Sequence, residues 1–351
     1  MKRQSRNPQK FDTLELYSAL SREEGFRIDT PDDLETFHRR IEESLKASLR
    51  NPSLLHGKRV EAMFAHVAGA MGRCKLIAQE DGGSAFVASD DFIAPDYRIV
   101  THADELILVE IKNFHMRKIS ERYRIKRRYF DKLAAYARIN RAELKIAIYF
   151  SKVNQWTLLS PGSFFEEGDE LWIDLPHAMA RSEMSVIGDR KIATLPLLRF
   201  EVFCDQDGTN PTISDDGTAK IIIREVHMYC ADERLEASVE GKIAFYLMRY
   251  GDWEVAQDPV VMVDGVISKV SFSASPREPV IDQEFEIVGS LSSMISNAFR
   301  ELTVSDDDGI VSLDVKYDPS FFELKIPEDY RGKGLPLWQF IIQPNPEFLA
   351  Q

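Results

Sequence analysis

The apolar positions of this 351-residue chain follow two periods, one near 3.6 and one of 2, and the switches between them outline the elements. Residues 1–29 are polar and weakly patterned, with some order expected around FDTLELYSAL. Thr30-Pro31-Asp32-Asp33 reads as a helix start, with Thr as the cap, Pro at the first helical position and acids in the first turn. That helix runs to about Leu49, where Asn51-Pro52 breaks it, and a second covers roughly 57–71. There Val60, Met63, Phe64, Val67 and Met71 make one apolar stripe. Strand signals begin at CKLIA (74–78), pause at Asp81-Gly82-Gly83 and resume in AFVAS. Two clear strands, 97–100 and 106–112, are joined by the turn THADE. A basic helix is expected over roughly 120–138, with Ile125, Tyr129, Leu133 and Tyr136 at helical spacing, and LKIAIYF and QWTLLS make a further strand pair.

From about residue 195 the pattern changes. Short β-rich runs dominate (LRFEVFCD, KIIIREVHMY, VVMVDGVISKVSFSA, EFEIVGS, IVSLDVKY, WQFIIQP), interrupted by one helix in DERLEASVEGKIAFYLMRY. Asp-Gly pairs at 207–208, 216–217, 264–265 and 308–309 are hairpin turn signals. The expected fold is therefore α/β (α+β): a mixed central sheet flanked by helices, followed by a β-rich α+β domain. The expected division is a helical extension at 1–50, a first domain at 51–199 and an acidic β-rich domain at 200–351.

Charge sharpens that division. The net charge is −13, yet residues 1–160 carry +6 and residues 161–351 carry −19. A basic half joined to an acidic half suggests separate jobs. The acidic half suits a regulatory, partner-binding or dimerisation surface better than a phosphate grip. No apolar run reaches the roughly 18–20 residues of a membrane helix, and the N-terminal stretch lacks a signal-peptide pattern. Cys74, Cys204 and Cys230 are far apart without a CxxC pair, which fits reduced thiols in a cytoplasmic protein and disfavours zinc. No glycine loop of the Walker type is present, and neither Ser/His/Asp nor Cys/His catalysis has local support.

The chemistry gathers between Pro95 and Lys112. Leu106, Ile107, Leu108 and Val109 are apolar on both parities, the mark of a strand covered on both faces. Glu110 and Lys112, at its far end, project from one face about 6.5 Å apart. A charge there costs several kcal/mol unless compensated. Asp96 precedes the neighbouring strand, so an antiparallel hairpin brings Asp96 and Glu110 to the end away from the turn. Two converging carboxylates suit Mg²⁺ or Mn²⁺, and the adjacent ammonium can orient water or stabilise phosphate charge. The plain alternative is a hairpin in which Glu110 and Lys112 simply pair with each other.

Pro95-Asp96 followed by Glu110-Ile111-Lys112 across a strand, turn and strand resembles the PD-(D/E)XK nuclease superfamily, the restriction-endonuclease-like enzymes that include Holliday-junction resolvases. The resemblance covers roughly residues 50–165. It implies a restriction-endonuclease-like fold and a Mg²⁺-dependent DNA endonuclease, with Asp96 and Glu110 as metal ligands and Lys112 assisting the attacking water. It also implies an acidic residue on the preceding helix, for which Glu61, about 100° from Val60 on the border of the apolar stripe, is the candidate. Family breadth allows a setting such as defence against foreign DNA. The rival is a non-catalytic nucleic-acid-binding or scaffolding protein on a nuclease-like fold.

From Lys112 to Arg138 there are ten Lys/Arg and two acids, interleaved with Tyr123, Tyr129, Phe130 and Tyr136. Arg124, Arg127, Arg128 and Lys132 are the expected phosphate contacts, with Tyr129, Leu133 and Tyr136 in the core. These residues do not separate DNA from RNA. Asp90-Asp91 reads as a solvated loop, His102 as a turn residue, and Asp306-Asp307-Asp308-Gly309 as an acidic hairpin turn without the calcium-loop spacing.

Overall fold

In the computed structural model, residues 1–4, 9, 12–82, 86–205, 218, 221–236, 238–264, 266–280, 282–327 and 329–349 are described. The Asp-Gly pairs at 207–208 and 216–217, Gly265, and the start of AFVAS lie outside them. The described part of AFVAS is not a strand, and Phe86 stands fully exposed.

Three helices come first: α1 (Asp12–Glu24), α2 (Pro31–Leu49) and α3 (Pro52–Ala70). Asn51-Pro52 does not merely end α2, as expected; it opens α3 five residues ahead of the predicted start. Asn51 Oδ1 accepts from Leu54 N–H at 3.2 Å, and Pro52 sits at the start of the helix, where its missing N–H costs nothing. Strands β1 (Cys74–Gln79), β2 (Tyr97–Thr101) and β3 (Leu106–Phe114) follow. Then come β4 (Tyr123–Lys126), α4 (Arg127–Ile139), β5 (Glu143–Phe150) and β6 (Gln155–Leu159). The central sheet has the order β1-β2-β3-β5-β6. It is mixed: β3 and β5 run parallel, with Glu110 opposite Ile146, and the other pairs are antiparallel. Segment β4–α4 provides the long crossover that a parallel pair requires.

The basic segment differs from the expected continuous helix. Residues 123–126 alternate, with Tyr123 and Ile125 turned inward and Arg124 and Lys126 exposed, and period 2 wins over helical spacing there. This strand pairs with β8 (Glu170–Ile173), which also pairs with β7 (Phe165–Glu167).

The second half holds α5 (Leu175–Ala180), β9 (Lys191–Thr194), β10 (Leu198–Cys204), β11 (Ile223–Cys230) and β12 (Glu233–Arg234). These lead to α6 (Ser238–Tyr250), β13 (Glu254–Gln257), β14 (Val261–Val263), β15 (Val266–Ser275), β16 (Glu286–Ser290), α7 (Leu291–Thr303) and β17 (Leu337–Phe340). One sheet runs β12-β11-β10-β15-β13 with β14 also on β15, and another runs β16-β9-β17. The run IVSLDVKY forms no strand beyond a single bridge from Ile310 to Val304. Helix α7 was not expected, although Leu291, Met294, Ile295, Ala298 and Phe299 keep helical spacing and are all buried.

Two cores sandwich the central sheet. On one face, Val109 and Ile111 of β3 meet Val60, Phe64 and Val67 of α3. On the other, Leu108, Ile146 and Ile148 meet Phe130, Leu133 and Ala137 of α4. The first cluster continues without a break into Leu247, Met294, Ile295, Phe299 and Phe322. The expected cut near residue 200 falls inside β10, and the core runs across it. Helix α3 is the hub. Gly69 lies so close to Pro319 that an added Cβ would stand 2.8 Å from the proline Cβ, and Arg59 Nη1 donates to Thr303 Oγ1 of α7 at 3.0 Å. The N-terminal arm closes the same junction: Arg3 Nη2 lies 2.9 Å from Asp314, Arg3 N–H donates to Asp318 at 2.8 Å, and the buried His66 ring is 3.0 Å from Asp314. All three cysteines are buried and free. No helix among the described residues is long and apolar enough to cross a membrane.

Candidate active site

The alternation that buries Leu108 against α4 places Glu110 on the same face, 3% exposed, at the end of the central strand. A carboxylate there needs partners, and it has two donors on Oε1: Lys112 Nζ at 2.6 Å and the Tyr129 hydroxyl of α4 at 2.5 Å. The Lys112 ammonium also sits 5.0 Å from the centre of the Tyr129 ring. Tyr129 is thus the roof of the site; its helical position marked it for the core but not for this contact. Burial, then the hydrogen bond to Glu110, pushes its phenol above the ordinary range.

Asp96 lies one step beyond the Tyr97–Val109 pair, which sets it across from Glu110 in the ladder. Its Oδ2 accepts from the Ile111 N–H at 2.6 Å. Burial first, then the neighbouring Glu110 carboxylate, push the Asp96 carboxyl up to about 7; the Ile111 hydrogen bond and Lys112 pull the other way, and Glu61 adds to the rise. The ladder therefore brings Asp96, Glu110 and Lys112 together. Glu61, on α3, is near enough for its charge to be felt at Asp96, but its own carboxylate is held by Lys58 at 2.6 Å.

Among the described residues no three His, Cys, Asp or Glu side chains stand together as a ready-made metal cage. The donor set still fits a hard divalent cation. Asp96 and Glu110 offer carboxylate oxygens, a Mg²⁺ ion keeps most of its waters when so held, and a cation would offset the burial and the Glu110 repulsion that disfavour the ionised Asp96.

Glu61, Ile111 and Lys112 open on a cleft of about 730 Å³ whose other walls are α3, the segment after β3 and the end of α7. The four expected phosphate contacts lie elsewhere, on β4 and α4. Arg124 is tied to Glu167 at 2.9 Å and Glu170 at 3.0 Å, and Arg127 to Glu166 at 2.7 Å. Lys132 donates to the carbonyl of Asp90 and so anchors the Asp90-Asp91 loop. Arg128 is exposed and, among the described residues, unpaired. A second cavity of about 800 Å³ runs along this surface, with Lys126, Arg128, Lys132 and Arg138 facing Asp91, Asp131 and Glu170. His102 is a turn residue, as expected. Asp308 adopts a positive φ of 62° in the acidic turn at 305–309.

No family model matches the chain, and no curated protein does. Among solved structures, it is similar to the Holliday junction resolvase of the archaeal hyperthermophile Archaeoglobus fulgidus, at 16% identity and a TM-score of 0.25, over 33% of this chain and 86% of that one. At that score the weight falls on the side chains of the site.

Proposed function

We propose that the protein is a metal-dependent nuclease that hydrolyses phosphodiester bonds, with DNA as substrate. One observation carries the reading: two carboxylates, Asp96 and Glu110, face each other at the end of a buried strand pair, with the Lys112 ammonium 2.6 Å from one of them. Asp96 and Glu110 would hold Mg²⁺ or Mn²⁺, with Glu61 able to join on leaving Lys58. The ion, when bound, supplies Lewis acidity for the phosphoryl group. Released from Glu110, the Lys112 ammonium is placed to donate to the attacking water or to a phosphate oxygen gathering charge. The Tyr129 hydroxyl keeps the Glu110 carboxylate in place while Lys112 moves. Lys126 at the end of β4, with Arg128 and Arg138 on the helix that carries Tyr129, offer an exposed basic track, and salt-dependent contacts there suit a phosphate backbone. The acidic half is read as a regulatory or partner surface.

The expected result is nicking or linearisation of plasmid with Mg²⁺ or Mn²⁺ and none in EDTA. Glu110→Gln and Lys112→Ala should each lower the rate by about 100-fold or more while DNA binding in Ca²⁺ persists. Cleavage that survives Lys112→Ala, or that needs no divalent ion, would sink the mechanism. The closed contact among Glu110, Lys112 and Tyr129 favours a second reading, a nucleic-acid-binding protein that uses the trio only for folding. Binding without cleavage under every divalent ion would decide for it.

A further inference from the structure

The cleft beside the carboxylates has a wall that the proposed mechanism leaves unused. Arg59, in the second turn of α3, is 7% exposed, and among the described residues it has no carboxylate partner. Its Nη1 reaches only the neutral Thr303 hydroxyl, and its Nε is buried without a hydrogen bond. A guanidinium in that state costs several kcal/mol unless an anion compensates it. Three further nitrogen groups line the same cleft: His56 one turn earlier on α3, His115 just past β3, and Arg300 from the last turn of α7. The positive end of α3 also faces the cleft through Pro52 and Ser53. Burial, followed by the neighbouring Arg59 and His115, holds His56 below its ordinary range, which favours the neutral ring, and that ring can still donate a hydrogen bond.

The two carboxylates on this wall do not neutralise Arg59. Glu61 belongs to Lys58, and Asp308 to Arg300 at 2.5 Å. The Arg300–Asp308 pair is exposed, with side-chain exposures of 57% and 77%. Such pairs are worth about 0–1 kcal/mol, so an incoming anion can take Arg300 from Asp308 at small cost.

We propose that Arg59 and Arg300, with His56 and His115, form an anion site that holds a backbone phosphate of the nucleic acid next to the Asp96–Glu110–Lys112 centre. Arg300 is supplied by the C-terminal half, so that half completes the binding cleft, and Asp308 occupies Arg300 when the cleft is empty. The proposal rests on the nuclease reading for its ligand, a nucleic acid, and not on cleavage itself.

The test uses the full chain and a labelled oligonucleotide in Ca²⁺ across a salt series. Arg300→Gln is the informative variant, because the side chain is exposed and its loss leaves α7 packed. It should weaken binding about fivefold to tenfold and reduce the slope of log Kd against log salt by about one. Asp308→Asn, which frees Arg300, should tighten binding about twofold. In Mg²⁺, Arg300→Gln should raise KM with a much smaller effect on kcat, the opposite of Lys112→Ala. A wild-type salt slope and wild-type KM in Arg300→Gln overturn the anion site and leave the nuclease reading standing. An Arg300-dependent slope in a protein that never cuts keeps the anion site and overturns the nuclease reading. A protein that binds no oligonucleotide overturns both.

Discussion

Asp96 is the residue at which the site works against the fold. Its folded pKa, about 7, lies above the usual carboxylate value near 4, so the native chain favours the protonated form. The stability this provides is fully present below about pH 4 and is lost as pH rises through about 7. At pH 8 in EDTA the ionised group is therefore a burden, on the order of 1–4 kcal/mol after allowance for its coupling to Glu110. Asp96→Asn should raise the melting temperature at pH 8 in EDTA and give no gain at pH 4. Mg²⁺ should stabilise the parent chain and not the variant. Equal melting behaviour of the two proteins across that range would show that Asp96 is not under this pressure.

The central trio was legible at this scale because an apolar strand ending in Glu and Lys has few physical explanations, and the hairpin fixed where Asp96 falls. Tyr129 was legible only as a core position, and it proves half-buried at the edge of the core. Its hydroxyl contact depends on how α4 lies across the sheet, which no local pattern encodes. Arg59 and Arg300 gave no local signal at all: the buried Arg59 guanidinium without a carboxylate, and the exposed Arg300 across the cleft from it, are recognised only once α3 and α7 are side by side.

Among the elements, α3 touches the most: the central sheet, α7 and the segment at Pro319. At Gly69 the approach to Pro319 leaves no room for a Cβ without movement. An Ala there gains about 1 kcal/mol of helix propensity over Gly but pushes on Pro319 at 2.8 Å, so Gly69→Ala should be close to neutral. Gly69→Leu has no such offset and should cost about 1–3 kcal/mol through overpacking, read as a lower denaturation midpoint at unchanged slope. A Gly69→Leu protein as stable as its parent would mean the Pro319 segment yields freely. The helix at 31–49 was legible from Pro31 and the acids of its first turn, although Thr30 makes no side-chain cap hydrogen bond, and the helix at 52–70 was legible from its stripe but not from its Asn51 cap, which read as a break. The stretch 120–126 was not, because basic residues with interleaved aromatics fit either period, and pairing with β8 decided for the strand. Helix α7 was missed although its apolar spacing is regular. Its serines at 292, 293 and 296 are buried with the apolar face, Ser296 taking a hydrogen bond from Trp156 Nε1 at 2.9 Å.

For the whole molecule, charge and packing point in different directions. The split between +6 and −19 invites two independent parts, yet Phe64 and Trp156 share one apolar cluster with Leu247, Met294 and Phe299. Residues 1–200 expressed alone would expose that surface to water. The fragment should bind a hydrophobic dye and melt without a sharp transition; a cooperative melt would show that the first half carries a sufficient core of its own. Charge distribution could not reveal this, because burial is decided by apolar side chains that formal charge ignores.

The cleft between α3 and α7 gives this arrangement a further consequence. Whatever settles there touches both halves of the chain, and it can do so only when they are folded against each other. Its binding free energy is thereby added to the resistance of the whole chain to opening. Since proteases cut mostly what has opened, the lifetime of the protein would rise and fall with the supply of its own ligand.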